Sequence, residues 1–305
     1  MTSFDALGFG GLNVDRIFKV NKIATAEEEC FVIDFAQTCG GSAANTIVGL
    51  ARLDHKVGLI GKLADDTEGN MMLEAFHREN VDTGGIIIAK HGRSGIAMSF
   101  VDKKGERAIY VDPGVNDTIG FNEIDKEYTF KTKYLHLTSF VGEQSLQTQK
   151  KLVEILPADI TLSLDPGELY ARKAIALEPI IAKTSVLMPN AKELQLLTGK
   201  TDYRKGAEIL LKKGVEVAAI KLGNKGCYVT DGNESHLIKA FSVKVVDTTG
   251  AGDAFCAGFI HGLINGRSLY ECGRIGNLVA SKSIMKIGTR DGLPTLADFT
   301  GDELD

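Results

Sequence analysis

Short β-branched runs alternate along most of this chain with segments in which apolar residues recur every three or four positions. The first pattern predicts strands and the second predicts helices, and their alternation favours βαβ units with a mostly parallel sheet. The predicted strands are Ala6–Phe9, Val57–Ile60, Tyr134–Leu137, Ile160–Leu164, Val186–Met188, Val217–Ile220 and Cys227–Val229. The predicted helices are Ala43–Leu53, Gly69–Arg78, Gln144–Leu156, Ala191–Leu197 and Tyr203–Lys213.

Two regions near the start of the chain do not follow this alternation of strands and helices. Glu28–Ala36 reads as a strand with no helix directly after it, and Ser94–Val101 and Glu106–Val111 flank the turn Asp102–Gly105 as in a hairpin. We expect a small separate sheet, a lid over a site at the carboxyl ends of the main strands. An edge hairpin of the main sheet is the alternative. The lid segments are placed at about 12–37 and 92–113 of one domain spanning 1–305.

Composition narrows the class of protein. With 305 residues and 44% hydrophobic content, the chain can bury a large core, and its net charge of −5 argues against a nucleic-acid or anionic-membrane partner. Five widely spaced cysteines contain no Cys-x-x-Cys pair, so no disulfide framework or structural zinc site is indicated. We find no signal-peptide pattern and no apolar run of about 18 residues, and therefore expect a soluble cytoplasmic protein.

The most informative motif is Asp247-Thr-Thr-Gly-Ala-Gly-Asp253, which follows an apolar run and precedes the helical pattern Ala254–Ile260. Glycines let the backbone turn sharply, and the free N–H groups of a helix start suit a phosphate or a developing oxyanion. A carboxylate beside such an anion site is useful if it removes a proton from a nucleophile. The motif indicates phosphoryl transfer, although a glycine cap followed by an N-cap aspartate is an equal alternative for the motif alone.

Two glycine clusters near the start carry polar side chains. Cys39-Gly-Gly-Ser-Ala-Ala-Asn45 runs into a helix, and Asn45 in its first turn can hydrogen-bond hydroxyl groups. Taken alone, this cluster is better read as a tight strand-to-helix turn. Asn13 and Asp15 follow the first strand two residues apart, so on an extended chain both face the same way and suit sugar hydroxyls. A solvent-facing turn is the alternative there.

Two later motifs lie after predicted strands. Asn190 and Glu193 fall on one helical face, in the spacing of a capping box, and a carboxylate there can also hold magnesium through water. Lys221-Leu-Gly-Asn-Lys-Gly226 reads as a loop able to cover a nucleotide, or as a plain β-turn. Gly199-Lys-Thr201 lacks the first glycine of a P-loop, since position 194 is leucine.

Together these motifs resemble the ribokinase family, the PfkB-type carbohydrate kinases, over nearly the whole chain and in the expected order. Gly40–Asn45 matches the first family signature and Asp247–Asp253 the second, which is highly specific. The resemblance implies a doubly wound α/β core flanked by helices, with a β-sheet lid that often serves for dimerisation. It also implies transfer of the γ-phosphoryl group of ATP to a sugar hydroxyl.

The resemblance further implies a role for each matching residue. Asp253 is the expected general base, beside an anion hole made by the backbone N–H groups of Gly250, Ala251 and Gly252. The expected phosphoryl-acceptor residues are Asn13, Asp15, Gly41 and Asn45. The expected nucleotide residues are Asn190, Lys221, Gly223, Asn224, Gly226 and Asn277. For metals, Glu193 is expected to hold Mg²⁺ through water, and a K⁺ ion is expected at Asp247 and Thr249 with backbone near Gly288.

Departures from the family pattern bear on the acceptor. Ser42 and Ala43 stand where ribokinase has lysine and glycine, and a glutamate of ribokinase is replaced near Thr138, which argues against strict ribose specificity. Small residues at Ser42, Ala43 and Ala44 are expected to leave room for a bulkier acceptor. We therefore predict a magnesium-dependent sugar kinase, with a nucleoside kinase or a regulator without turnover as alternatives. The alternative of a dinucleotide-dependent oxidoreductase is supported only by Gly8 and Gly10, and it fails because the third glycine of the dinucleotide-binding motif is absent.

Overall fold

The structure is a computed structural model that describes residues 4–299. Its strands, in chain order, are β1 (Phe4–Phe9), β2 (Asn13–Val20), β3 (Val32–Gly40), β4 (Val57–Ala64), β5 (Asp82–Ala89), β6 (Gly95–Val101), β7 (Arg107–Asp112), β8 (Thr132–Thr138), β9 (Thr161–Asp165), β10 (Val186–Leu187), β11 (Val217–Lys221), β12 (Cys227–Thr230) and β13 (Ser235–Ile238). Its α-helices are α1 (Ser42–Arg52), α2 (Thr67–Arg78), α3 (Lys126–Thr129), α4 (Glu143–Glu154), α5 (Gly167–Ala171), α6 (Ala174–Ile181), α7 (Ala191–Thr198), α8 (Tyr203–Lys212), α9 (Ala251–Ile264) and α10 (Leu269–Ser283).

Nine strands form one sheet in the order β13-β12-β11-β10-β9-β8-β1-β4-β5. Neighbours from β5 to β11 run parallel, and β12 and β13 add an antiparallel edge. One apolar core joins this sheet to α1, α2, α9 and α10, and a second core on the other face joins it to α4, α6, α7 and α8. The predicted doubly wound, mostly parallel sheet flanked by helices is therefore confirmed.

A second sheet of four strands, in the order β3-β2-β6-β7, is separate from the large one. Strand β2 pairs antiparallel with β3 and parallel with β6, and β6 forms a hairpin with β7. The hairpin turns at Gly105, whose φ of 82° suits glycine and whose N–H donates to Asp102 O at 3.0 Å. The small separate sheet is as predicted, and the edge-hairpin alternative is wrong. Its action as a lid remains a prediction.

The boundary predicted for β3 needs correction. The expected strand was Glu28–Ala36, but β3 begins at Val32 and continues to Gly40. The preceding residues form a turn because Glu27 has a φ of 62° and the carboxylate of Glu28 accepts hydrogen bonds from Thr25 N and Oγ1. As a result, the first glycine of the signature at 40–45 ends a strand and the second, Gly41, caps α1.

The carboxyl ends of the parallel strands gather polar residues at one edge of the large sheet. Strand β9 ends at Asp165, β11 ends at Lys221, and Asn190, just after β10, forms a parallel bridge with Lys221. Ligands of open α/β sheets bind at this edge, where the strand order reverses. The apolar run at 241–246 has no regular structure and leads along this edge to α9.

Candidate active site

Asp253 lies where the two signature segments meet. Helix α9 begins after Gly250, whose φ of 79° and close approach to Thr289 leave room for glycine alone. In the first turn of α9, Asp253 Oδ1 accepts a hydrogen bond from Ser42 Oγ at 2.6 Å, and Oδ2 accepts one from Asn45 Nδ2 at 2.8 Å. Both donors belong to α1, more than 200 positions earlier in the chain, so these contacts fix the carboxylate between two helices.

Two carboxyl groups of this region have raised pKa values. Burial raises the pKa of Asp253 from 3.8 to about 6, although the hydrogen bonds from Ser42 and Asn45 act in the opposite direction. Burial likewise raises the pKa of Asp15 to about 6, against the charge of Arg290 and with the charge of Asp253. A carboxylate with a pKa near 6 is a better proton acceptor than an ordinary aspartate and is still ionised at neutral pH.

A cavity of about 770 Å³ opens beside Asp253. Its polar part is lined by Asp165, Glu193 and Lys221, and its apolar part includes Phe241 and Val243. The six predicted nucleotide residues all line it: Asn190, Lys221, Gly223, Asn224, Gly226 and Asn277. A cavity lined by both charged and apolar side chains suits a molecule that carries phosphates and an aromatic base.

Asn277, which lines this cavity, also forms hydrogen bonds to the backbone. Its Nδ2 donates to the carbonyl oxygens of Ile238 and Lys239, which holds the chain after β13 against α10. This contact stabilises the wall of the cavity, and the expected contact of Asn277 with a nucleotide remains a prediction.

A buried ion pair that the sequence did not reveal faces the glycine turn. Lys221 Nζ lies 2.5 Å from Asp165 Oδ2, and both side chains are largely buried. Burial alone would lower the pKa of Lys221, but nearby acidic groups, Asp165 above all, outweigh it and raise that pKa. A Cβ added to Gly252 would lie 3.3 Å from Lys221 Nζ, so this glycine keeps the space between the turn and the ammonium group open. The position of Asp165, at the carboxyl end of a strand, is the signal that could have identified it.

The three amides expected to form an anion hole are not equivalent. The N–H of Ala251 donates to Thr248 O at 3.2 Å and so closes the turn before α9. Gly252 follows in the first helical turn, where N–H groups have no intrahelical partner, and it lines the cavity with Ala251. The positive end of the α9 dipole points to the same space.

Glu193 and Asn190 form the predicted capping box of α7. Glu193 Oε2 accepts from Asn190 N at 2.8 Å and Oε1 accepts from Asn190 Nδ2 at 2.7 Å. Burial and the charge of Asp165 raise the pKa of Glu193, and Asp165 Oδ1 is buried with no hydrogen-bond partner among the residues described. Two adjoining carboxylates, one with an unpaired oxygen, fit a hydrated magnesium ion held through water. Within residues 4–299 no cluster of three or more histidine, cysteine or acidic side chains is arranged to bind a metal directly.

The residues expected to bind potassium lie together, but their oxygen atoms are already occupied. Asp247 Oδ1 accepts from Thr249 and Arg107, and Asp247 Oδ2 accepts from Gly288 N at 3.0 Å. Arg107 also donates to Thr249 Oγ1 at 2.8 Å. Because a guanidinium group neutralises Asp247 here, the expected potassium site does not fit this arrangement.

A smaller cavity, of about 160 Å³, shares Ser42 and Ser139 with the larger one. It lies between the small sheet and the large one and is lined by Asn13, Asn116 and Asp117 together with apolar residues that include Phe140. Of the residues expected to bind the phosphoryl acceptor, only Asn13 is part of this lining. The two cavities adjoin near Asp253, because Ser42 lines both and donates a hydrogen bond to Asp253.

The other three residues that were expected to bind the phosphoryl acceptor do not line this cavity. Asn45 is buried and bridges Asp253 and Arg290 through its Nδ2 and Oδ1 atoms. Gly41 caps α1 with a φ of 99°, and the Asp15 carboxylate packs so closely against Gly40 that a Cβ there would lie 2.1 Å from Oδ2. In this structure Asn45 supports the Asp253 carboxylate, and direct contact of Asn45, Gly41 and Asp15 with an acceptor remains a prediction.

The prediction that the small side chains of Ala43 and Ala44 leave room for a bulkier acceptor is wrong. Both side chains are fully buried, and Ala44 packs in the core between α1 and the sheet, so their small size serves packing. Only Ser42 of this group lines the cavities, and its hydroxyl is held by Asp253.

Arg290 is a supporting residue that the sequence did not indicate. Its Nε donates to Asn45 Oδ1 at 3.0 Å and its Nη2 donates to Gly40 O at 3.2 Å, while its guanidinium lies over the Phe76 ring. Arginine is rarely buried unless paired, and here two oxygens and a nearby Asp15 carboxylate compensate its charge. No local pattern could identify it, since its partner is 245 positions away.

Comparison with known proteins matches residues 5–296 to the model of the pfkB family carbohydrate kinases. An "uncharacterized sugar kinase" of Archaeoglobus fulgidus is 47% identical over 82% of this chain and 100% of its own length. An "ATP-dependent ribose-1-phosphate kinase" of Halopiger xanaduensis is 32% identical over 83% of each chain. The crystal structure of a ribokinase from Thermotoga maritima superposes with a TM-score of 0.86 at 25% identity, covering 99% of this chain and 98% of that one.

Proposed function

Because this chain belongs to the PfkB family of carbohydrate kinases, we propose that it transfers the γ-phosphoryl group of ATP to a hydroxyl of a sugar, with Asp253 as general base. The observation that carries the proposal is the Asp253 carboxylate, whose pKa is raised to about 6 and which faces the glycine turn where the two cavities adjoin. A protein that only binds nucleotides has no use for a proton acceptor beside an anion site.

In the proposed reaction, Asp253 removes the proton of the attacking hydroxyl as the oxygen approaches the terminal phosphate. Ser42 and Asn45 hold the carboxylate in place, because each donates to one of its oxygens. The amide of Gly252, with Lys221, stabilises negative charge on the phosphoryl group, while the amide of Ala251 closes the turn that positions it. Phosphoryl transfer depends mainly on such positioning and charge stabilisation, and no covalent intermediate is needed.

The larger cavity is the proposed ATP site. Lys221 at its polar end faces the phosphates, and Phe241, Val243 and Val245 at its apolar end suit the adenine ring. Glu193 and Asp165 would hold a hydrated Mg²⁺, which, when bound, neutralises charge on the phosphates of the nucleotide.

The smaller cavity is the proposed acceptor site. Among the described residues that line it there is no lysine or arginine, and Asp117 adds an acidic group, so we favour a neutral polyhydroxyl acceptor. A nucleoside remains the second candidate because Val111, Phe140, Val141 and Leu169 offer apolar surface for a base. An acceptor that carries a phosphate, as in the name of the Halopiger relative, is less compatible with this lining.

A substrate panel tests the proposed function. We expect ADP formation with ATP and Mg²⁺ when pentoses, hexoses, nucleosides and ribose 1-phosphate are offered one at a time, and the highest kcat/KM with a neutral sugar or nucleoside. Fast turnover with ribose 1-phosphate alone would contradict the neutral acceptor. Tight ATP binding with no ADP release in any reaction would favour the regulator.

Asp15 gives a prediction about the acceptor and about pH. Asp15→Asn should raise the KM of the acceptor by about 10- to 100-fold, since a hydrogen bond to a charged group contributes about 1.5–3 kcal/mol, and leave the KM of ATP nearly unchanged. Asp15 and Asp253 both have pKa values of about 6 and both are needed ionised, so activity should rise with pH through that value. A plot of log kcat/KM against pH should approach a slope of two on its acid limb in the native protein and one in Asp15→Asn. An unchanged acceptor KM would remove Asp15 from the site.

We also propose a homodimer through the small sheet. Phe35 and Tyr110 lie on the same face of its strands and are at least half exposed, which is unusual for large apolar side chains. Sedimentation velocity measures the predicted dimer, and a monomer at micromolar concentration would contradict it.

No helix in the described part of the chain is long and apolar enough to cross a membrane.

A further inference from the structure

Arg107 connects the small sheet to the loop before α9. It is the first residue of β7, and its Nη1 donates to Thr249 Oγ1 at 2.8 Å while its Nη2 donates to Asp247 Oδ1 at 3.1 Å. The Asp247 side chain is 14% exposed, and that of Arg107 is 39% exposed. One guanidinium group therefore binds two residues of the second signature from the opposite side of the cleft, 140 positions away in the chain.

Asp247 is an ionised group that needs a positive partner. Burial alone would raise its pKa, but hydrogen bonds from Thr249 and Gly288, together with the charge of Arg107, hold the pKa below its ordinary value. Its Oδ1 accepts from Thr249 N at 3.0 Å and Thr249 Oγ1 at 2.7 Å, and its Oδ2 accepts from Gly288 N at 3.0 Å. With Arg107 in place, each carboxylate oxygen already has protein donors.

The two loops that Asp247 joins also shape the catalytic centre. On one side, Thr248 O accepts the N–H of Ala251 and closes the turn that carries the anion site. On the other side, Thr289 lies against Gly250, and Arg290 holds the Asn45 amide that binds Asp253. A cation at Asp247 therefore stabilises both the anion turn and the support of the base.

We propose that Arg107 supplies, from the closed lid, the positive charge that a potassium ion would supply at Asp247, so that this chain needs lid closure but no monovalent cation. The inference rests on the proposed kinase function. Arg107 is a positioning residue, since its guanidinium contacts the loop and not the reacting atoms. A guanidinium fixed to β7 reaches Asp247 only when the small sheet lies over the cleft, whereas a free ion would bind whether the lid is open or closed.

The test measures ADP formation in potassium chloride and in tetramethylammonium chloride at equal ionic strength, since tetramethylammonium is too large to enter a compact oxygen site. The native protein should have the same kcat in both salts. Arg107→Ala should lose about tenfold in kcat in tetramethylammonium, as expected for a partly exposed charge-assisted hydrogen bond. Potassium should restore part of that loss, because the carboxylate of Asp247 and the hydroxyl of Thr249 are then available to the ion.

Arg93→Ala is the matched control. Arg93 lies near the start of β6 and pairs with Asp112, but its side chain is 75% exposed and its partner belongs to the small sheet itself. This variant should behave as the native protein in both salts. Melting temperature gives a second readout: potassium should raise that of Arg107→Ala and leave those of the native protein and Arg93→Ala unchanged.

Three results would overturn the inference. The first is an increase of about tenfold in the kcat of the native protein when potassium replaces tetramethylammonium, which is the size of effect expected when a charged contact is lost. The second is an Arg107→Ala variant as active as Arg93→Ala, and the third is a loss that potassium does not reduce. A native protein that forms no ADP in either salt would instead refute the proposed function, so the two failures can be distinguished.

Discussion

Replacing Asp253 with asparagine is expected to lower kcat by about 10²- to 10⁴-fold while leaving the affinity for ATP almost unchanged. The amide cannot accept the proton of the attacking hydroxyl, but the space for the nucleotide remains because the side chain keeps its size. Steady-state kinetics of ADP formation measures the first effect, and calorimetric titration with a non-hydrolysable ATP analogue measures the second.

The control for this variant is Asp159→Asn, in the exposed turn after α4, which should retain full activity. The pH dependence separates a chemical role from a structural one. The native kcat should fall below a pH of about 6, the pKa of Asp253, whereas the residual activity of Asp253→Asn should lack that step. If Asp253→Asn turns over at the native rate, the assignment of the general base is wrong.

Replacing Lys221 with methionine is expected to lower the free energy of unfolding by about 3–5 kcal/mol, because it leaves the buried Asp165 carboxylate without its counter-charge. ATP binding should weaken as well, since Lys221 lines the larger cavity, which is the proposed ATP site. Urea denaturation measures the stability.

Two further variants make the result specific. Lys221→Met combined with Asp165→Asn should regain much of the lost stability without regaining activity, because the uncompensated charge is gone. Lys213→Met removes the surface pair with Glu178, of which both members are about a third or more exposed, and should cost at most about 1 kcal/mol. Equal stability of Lys221→Met and the native protein would show that the pair contributes nothing to folding.

Much of the large sheet could be predicted because its signal is local. Buried parallel strands such as β4 read as continuous apolar runs, and the helices between them show their apolar face at regular spacing. The central strand β2 of the small sheet was not identified as a strand, since it follows the glycine cluster and carries polar residues such as Asp15 and Arg16. The antiparallel edge strand β13 and helix α10 were missed as well.

The glycine motif before α9 could be predicted for the same reason. Gly250, Gly252 and Asp253 are close in sequence, so a turn and the first turn of a helix bring them together without help from the rest of the chain. Asp165 could have been suspected from its place at the end of β9, but its partner Lys221 could not have been assigned. That pairing depends on which strands are neighbours in the sheet, and β9 and β11 are brought close by β10 between them.

The alternation of strands and helices, the glycine turn before α9 and the carboxylate that follows it can all be recognised from the amino-acid sequence alone. These features depend on backbone freedom, helical periodicity and chain neighbours, which act within a few residues. The folded structure was needed to show that Ser42 and Asn45 hold Asp253 and that Arg290 holds Asn45. It was also needed to show that Arg107 pairs with Asp247, where potassium was expected. Each of those contacts joins segments at least 140 positions apart, and such pairs meet only after the order of the strands and the packing of both sheets are set.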